Sequence, residues 1–478
     1  MKENTFSFLE NAAMKWGSRT AIVEGNKRSI FKDLNDLALA LCLKLEAAAH
    51  VKGKGIGFVC SNGSRFVSGL FACAKAGAVA MPILRGTKEK EIEELLNESQ
   101  INILVAEKGN GFSFRETVLK TSLSGEFDLF VFQEIIPSQI DSVFHDAAFI
   151  RPSSGTTGSS KGVVISHRSV FERTEAANEG LMLDENCIML WVMPMAFHFI
   201  VSVLLYVRYG VCMIISENFS ARTLVQNANE FLATHLYASP LHYRLLASEK
   251  SDLKFETLKV AVSTSAHLEA SVSKIFFEKY KLPVSQAYGI IEIGLPFINS
   301  ETGNYRSESV GKVLPKYTAV ILDDNMKEVK RGMKGAFAIK GPGMFSGYLW
   351  PMKKVEDVLV NSWFLTGDIA EMDEDGFVFV KGRSKSMINV SGNKVFPEEV
   401  EAVLKLHPGI ADARAYAGRH PVTGEIVQAE VVLKTEKNGN EEEIISMCRE
   451  QLLPYKVPQK IFFVKEIAKT KTGKISRA

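Results

Sequence analysis

The sequence predicts an α/β protein that carries a small α+β domain at its C-terminal end. Three observations carry this expectation. Up to about residue 303, short β-branched runs alternate with longer amphipathic ones, the pattern of strands separated by helices. Beyond that point Gly-punctuated short strands take over, indicating a β-rich subdomain over roughly 304–383. After Gly382-Arg383 the texture changes again to a compact mixture of helices and strands. The charge shifts as well, for 456–478 hold six Lys and one Arg against Glu466 alone.

The elements follow in order. Ile56–Val59, Val79–Ile83 and Ile103–Val105 read as strands, with helices at Phe31–Ala47 and Lys88–Leu96. Leu258–Ser263 and Leu282–Gln286 are further strands around a helix at Glu269–Tyr280. The β-rich part contributes Ala319–Leu322, Gly335–Lys340 and Phe377–Lys381, with turns at Asp323-Asp324-Asn325 and Asp373-Glu374-Asp375-Gly376. The last domain reads as helix Pro397–Leu406, strands Ile410–Gly418 and Val427–Leu433, and helix Glu441–Leu452.

Length and composition bound the function. The 478 residues suit two to four domains at roughly 150 residues each, and 46% hydrophobic and 23% charged residues are ordinary for a globular chain. Disordered, collagen-like and disulfide-stapled classes are excluded. With 57 Lys and Arg against 55 Asp and Glu, the formal net charge is +2, so no nucleic-acid partner is expected. Cys42, Cys60, Cys73, Cys187, Cys212 and Cys448 are scattered without metal-ligand spacing and read as small buried hydrophobes of a reducing compartment. The N-terminus lacks a signal-peptide pattern. Ile188 to Val207 approaches the length of a membrane span, but Pro194, His198 and Ser202 interrupt it. It reads as buried core, and the expected location is cytoplasmic.

Ser153-Ser154-Gly155-Thr156-Thr157-Gly158-Ser159-Ser160-Lys161-Gly162 lies between the apolar runs 147–150 and 163–165. Glycines let backbone N–H groups approach an anion, and hydroxyls with a lysine add donors suited to phosphate. A flexible Ser/Gly linker would not need Lys161 and two adjacent threonines. The spacing and the flanking strands do not fit a Walker loop. Phosphate binding is the expectation.

This loop resembles the T-S-G-T-T-G-x-P-K-G signature of the adenylate-forming superfamily, which includes acyl- and aryl-CoA synthetases and nonribosomal peptide adenylation domains. Further motifs follow in the family's order across about 150–478. Gln286-Ala287-Tyr288-Gly289-Ile290-Ile291-Glu292 resembles Y-G-x-T-E, with Ile291 in place of the Thr. The resemblance implies Tyr288 and Gly289 beside adenine and Glu292 as the carboxylate for Mg²⁺. Ser263-Thr264-Ser265-Ala266-His267 stands where relatives carry a glycine-rich adenine turn. Trp363-Phe364-Leu365-Thr366-Gly367-Asp368 resembles W-[FY]-x-T-G-D, implying Asp368 on the ribose hydroxyls, with Arg383 as a second ribose contact. Gly382-Arg383-Ser384-Lys385, with Gly392 and Pro397-Glu398-Glu399-Val400-Glu401, resembles the family hinge. It implies a mobile C-terminal domain (384–478) swinging about Lys385 against an adenylate-forming domain (1–383), with Gly392 near the pantetheine thiol. Lys469-Thr470-Lys471-Thr472-Gly473-Lys474-Ile475-Ser476-Arg477 resembles P-x-T-x-x-G-K-[IL]-x-R, with Lys469 in place of proline. Lys474 is then the lysine that bridges acid carboxylate and α-phosphate.

The resemblance implies ATP, Mg²⁺ and coenzyme A as cofactors, with Thr156, Thr157 and Lys161 on the β- and γ-phosphates. Ala196-Phe197-His198-Phe199 has His198 where amino-acid-activating relatives place an Asp, so the implied substrate is not an α-amino acid. His198 is either a residue of the acid pocket or a satisfied core histidine. Phe197, Phe199, Ile290, Pro296 and Phe297 suggest an apolar pocket for a fatty or aromatic acid. A carrier-protein phosphopantetheine remains open as the alternative acceptor, as does a non-catalytic binding homologue. Monomer and homodimer both stay open, for the residues favour neither.

Overall fold

The computed structural model describes residues 4–114, 117–133, 135, 140–152, 161–300, 306, 308–390, 393–420, 424–434, 440–470 and 475–477. The chain forms two compact units. One holds the described residues up to Thr318 together with Lys340–Ser362, and the other holds Ala319–Ile339 and the described residues from Trp363 onward.

The first unit is built on two nine-stranded sheets. One is centred on Gly55–Cys60, paired in parallel with Val79–Leu84 on one side and Ile103–Glu107 on the other. All six residues of Gly55–Cys60 and all five of Ile103–Glu107 are buried, which is why they read as near-continuous apolar runs rather than alternating ones. Helix Phe31–Ala48 buries Phe31, Leu34, Ala38, Leu41, Cys42 and Leu45, a stripe recurring at three and four residues. Its first turn is held by Asp33, whose carboxylate accepts from the Ile30 N–H at 3.2 Å. The second sheet runs Val284–Ile290, Val260–Ser263, His235–Ala238, Ile188–Trp191, Cys212–Ile215 and Thr20–Glu24 as parallel neighbours. Gly294–Asn299 closes back antiparallel on Val284–Ile290.

The apolar segment 188–207 is core, as expected. It breaks into the strand Ile188–Trp191, a 3₁₀ turn Met195–Phe197, a π-turn Phe199–Leu204 and the short helix Leu205–Arg208. Among the described residues, no helix is long and apolar enough to cross a membrane. Five of the six cysteines are buried and Cys212 is partly so. Burial pushes the Cys42, Cys73, Cys212 and Cys448 thiols up to about 11 or 12.

In the second unit, Thr318–Leu322, Lys334–Lys340, Phe364–Met372 and Val378–Arg383 form a four-stranded sheet, so the β-rich segment is a sheet of its own. The two acidic turns are present. Gly376 N–H donates to the Asp373 carbonyl at 3.0 Å, and Met326 N–H to that of Asp323 at 3.0 Å. The C-terminal part packs helices Pro397–Leu404 and Glu441–Gln451 on a sheet of Asn393–Val395, Ile388–Val390, Gly424–Leu433 and Ile410–His420, with Lys460–Phe463 parallel to Gly424–Leu433. Val400, Leu404, Ala413, Val431, Ile444 and Cys448 fill its core.

One buried group makes the first unit sensitive to acid. His242 is 7% exposed, and burial pushes its imidazole down from 6.5 to about 4. Between those values the unfolded chain binds a proton that the folded chain does not, so stability present above pH 6.5 is lost as the pH falls toward 4. In denaturation at pH 7 and pH 4, His242→Gln is expected to lose about 3 kcal/mol less stability than the wild type, the remaining loss belonging to His235 and the carboxylates held below their ordinary range.

Candidate active site

The first part of the site is assembled by strand pairing. Lys161 immediately precedes the strand Gly162–Ser166, which pairs antiparallel with Gly347–Tyr348 so that Tyr348 lies opposite Val163. A Cβ on Gly162 would collide with the Trp350 ring, so only glycine allows this approach. As a result the Lys161 ammonium lies 4.4 Å from the centre of the Tyr348 ring. Glu292 follows the strand Val284–Ile290 in the turn before Gly294–Asn299. The Tyr348 hydroxyl donates to Glu292 Oε1 at 3.0 Å, and Phe345 N–H donates to the Glu292 carbonyl at 2.8 Å. Burial, with the Glu292 carboxylate beside it, pushes the Tyr348 phenol well above its ordinary value, so it stays a donor.

Arg173, on helix His167–Leu181, ties these segments together. It is 1% exposed. Its Nη1 donates to the Ile291 carbonyl and its Nε to the Gly343 carbonyl, each at 2.9 Å, and Nη2 also reaches Gly343. Gly343 has φ +68°, and a Cβ there would press on Arg173 and on the Ser169 carbonyl. Burial lowers the Arg173 guanidinium to about 10, with Tyr317 and Glu292 among the groups opposing that shift, so it remains a cation at neutral pH. Neither Arg173 nor Tyr348 figures among the residues expected from sequence. Arg173 had one usable signal, a charged residue among the buried positions Val170, Thr174 and Ala177 of an amphipathic helix.

On the expected adenine side, Tyr288 lies opposite Phe297 in the antiparallel pair, with ring centres 6.1 Å apart at 77°. Gln286 is buried, and its Oε1 accepts from Leu268 N–H at 3.1 Å. That bond joins the Tyr288 strand to the segment after Ser263. Ser265 sits at φ +76°, a left-handed conformation that suits the glycine of the resembled motif better than serine. Among the described residues, the buried hydroxyls of Ser263 and Ser265 have no hydrogen-bond partners. Such groups are costly unless something fills the site. Ala266 and His267 are exposed.

Of the residues expected around the acid, Phe197, His198 and Ile290 are partly exposed, and His198 ends the 3₁₀ turn Met195–Phe197. Phe199, Pro296 and Phe297 are buried. Phe199 packs edge-on against Phe149 at 5.2 Å. The π-turn that starts at Phe199 is a departure from regular helix of the kind often found at functional sites.

In the second unit, Asp368 and Arg383 meet. They are register partners on neighbouring strands, and Arg383 Nε lies 2.8 Å from Asp368 Oδ1. Asp368 N–H donates to Thr366 Oγ1 at 3.1 Å, and that hydroxyl donates to the Phe337 carbonyl at 2.9 Å. Lys385 is exposed in the 3₁₀ turn Ser384–Ser386. Arg477 is locked between Glu398 and Glu401 at 3.0 Å each and donates to the Ala415 carbonyl at 3.1 Å. Lys469 bridges Ile475 and pairs with Asp412 at 2.7 Å. Ser153, Ser154, Gly155, Thr156, Thr157, Gly158, Gly392 and Lys474 lie outside the described residues.

The α/β fold with its small α+β C-terminal part is that of the adenylate-forming class. Residues 9–349 match the AMP-binding enzyme family and 399–474 match the AMP-binding enzyme C-terminal domain. The chain belongs to the AMP-binding enzyme family, among its acyl-CoA ligase homologues. It is 26% identical to a long-chain-fatty-acid–CoA ligase of Yersinia pestis over 523 residues, covering 98% of this chain and 92% of that one. It is 33% identical to 4-coumarate–CoA ligase-like 6 of Arabidopsis thaliana over 349 residues, covering 70% and 61%. The crystal structure of ATP-bound MatB from Rhodopseudomonas palustris has the same fold, with a TM-score of 0.87 at 22% identity over 100% of this chain and 98% of that one.

Proposed function

We propose that the protein converts an apolar carboxylic acid, fatty or aromatic, to an acyl-adenylate and passes the acyl group to the thiol of coenzyme A. The observation that carries this reading is the cluster of Lys161, Tyr348, Glu292 and Arg173 in a chain whose family forms adenylates. A carboxylate cannot acylate a thiol directly, because its leaving group would be oxide. Attack of a carboxylate oxygen on the α-phosphorus of ATP, with departure of pyrophosphate, makes the mixed anhydride that can. Catalysis of such a step is mainly positioning and charge neutralisation. In this reading Lys161, with Thr156 and Thr157, holds the β- and γ-phosphates. Ser263 and Ser265 supply unpaired hydroxyls beside the base, Tyr288 flanks it, and Asp368 accepts from the ribose diol. Lys474 neutralises the approaching anions.

Among the described residues, no group of three His, Cys, Asp or Glu side chains could hold a metal ion unaided. A lone carboxylate such as Glu292 suits magnesium that arrives on nucleotide phosphates and keeps waters, which is that ion's habit. Bound there, magnesium would neutralise developing charge on the phosphates. Glu292 Oε1 is already oriented by Tyr348, so the carboxylate is held in place on the chain's side.

The C-terminal domain from 384 is proposed to turn about Lys385 between the two half-reactions, removing Lys474 and admitting the thiol near Gly392. His198 in place of an aspartate, with Phe197 and Ile290 also partly exposed, supports an acid without an ammonium group. The activity named for the Yersinia pestis relative, on long-chain fatty acids, fits that class.

The test is acid-dependent pyrophosphate release with Mg-ATP across fatty, aryl and amino acids, with and without CoA. Release with apolar acids, and a thioester only when CoA is added, is the expected result. Pyrophosphate with no CoA thioester would redirect the acceptor to a carrier protein. No release with any acid, while ATP still binds, would overturn the enzyme reading.

A further inference from the structure

We infer that Tyr348 is a positioning residue that sets both charged groups of the phosphate side: its hydroxyl orients Glu292 and its ring face seats Lys161. This rests on the reading of Glu292 as the magnesium-side carboxylate. The geometry is specific. The phenol oxygen meets Glu292 Oε1 at 3.0 Å, while the Lys161 ammonium lies 4.4 Å from the ring centre. One rigid, 4% exposed side chain therefore touches an acid and a base through two chemically different surfaces.

Both contacts are of kinds that orient without neutralising. A neutral phenol donating to a carboxylate leaves the negative charge in place and leaves Oε2 for a cation, which is how outer partners tune metal ligands. An ammonium over a π-face keeps its full charge and its N–H donors. A direct Lys161–Glu292 ion pair would instead cancel the two charges that Mg-ATP requires. Tyr348 thus contacts an acid and a base at once, one through its hydroxyl and one through its ring.

The frame behind Tyr348 supports this role. Its strand is fixed to Gly162–Ser166 by pairing at Val163, so Lys161 and Tyr348 move together. Arg173 binds the carbonyls of both Ile291 and Gly343, so the turn holding Glu292 and the segment leading to Tyr348 share one buried cation. Phe345 N–H on the Glu292 carbonyl adds a third tie.

The test uses the full chain and ATP binding measured by calorimetry, in EDTA and across a Mg²⁺ titration, with no acid and no turnover. Tyr348→Phe keeps the ring and removes the hydroxyl. It is expected to raise the Mg²⁺ concentration for half-maximal effect about 10-fold, with the affinity for ATP in EDTA and the melting temperature unchanged. Tyr348→Leu loses the ring too, and is expected to weaken ATP binding in EDTA about 3- to 10-fold as well. Glu292→Gln serves as the reference and should shift the Mg²⁺ titration by itself.

A Mg²⁺ titration unmoved in Tyr348→Phe while Glu292→Gln moves it would overturn the orienting role of the hydroxyl. A shift in Tyr348→Phe without one in Glu292→Gln would overturn the route through Glu292. If neither moves it, the magnesium reading of Glu292 falls together with this inference. Unchanged EDTA affinity in Tyr348→Leu would overturn the seat for Lys161.

Discussion

Lys474→Ala is expected to lower acyl-adenylate formation by about 10²- to 10³-fold, the usual cost of removing a donor aimed at developing charge. Thioester formation from supplied acyl-adenylate should remain close to wild type. The reason is chemical. In the first half-reaction two anions, the carboxylate and the α-phosphate, must approach each other, and a cation between them relieves the repulsion. In the second, a neutral acyl carbon meets a thiol and no such relief is needed. On either side of Lys474 in the sequence, Lys469 pairs with Asp412 and Arg477 with Glu398 and Glu401. Pyrophosphate release and thioester formation, assayed separately, check the split. Lys385→Pro should give the mirror image, with adenylation kept and thioester formation lost, since a hinge must absorb backbone rotation. Equal loss of both steps in Lys474→Ala would overturn the assignment.

Arg173→Met has the second large effect, on stability as well as on nucleotide binding. Methionine fills much of the volume but leaves the Ile291 and Gly343 carbonyls buried without donors. Each unsatisfied acceptor costs about 1–3 kcal/mol, so a loss of about 2–5 kcal/mol is expected. Replacing a buried ion by a hydrophobe can be neutral when its partner is replaced too, but backbone carbonyls cannot be replaced. A thermal shift assay should show a fall of roughly 5–10 °C. Mg-ATP binding should weaken further, because the turn carrying Glu292 loses its tie to the segment before Tyr348. Arg173→Lys tests the fork geometry. A single ammonium reaches one carbonyl in place of both and should recover only part of the loss. A melting temperature unchanged in Arg173→Met would remove the clamp.

The strongly patterned elements were legible before any coordinates. Helix Phe31–Ala48 runs one residue beyond the expected end, and Glu441–Gln451 stops one residue short, because an apolar stripe at helical spacing is a local signal. Strand ends moved more. Leu282–Gln286 was expected and Val284–Ile290 is observed, since its last residues gain their pairing from Gly294–Asn299 rather than from their own sequence. The pairing of Asp368 with Arg383 was not expected: it follows from the register of Phe364–Met372 against Val378–Arg383.

Sequence by itself settled the α/β class, the C-terminal α+β part and the identity of the charged residues in each motif, because these depend on periodicity and on neighbours a few positions apart. Only the tertiary structure decided which of those charges meet. Lys161 and Tyr348 are 187 positions apart, Arg173 and Gly343 are 170, and nothing local marks either pair. They come together because Gly162–Ser166 and Gly347–Tyr348 pair as strands, and because a buried guanidinium must find carbonyls wherever the fold leaves them unpaired. The local motif names Glu292, but the hydrogen bond it accepts from Tyr348 is long-range and no local pattern encodes it.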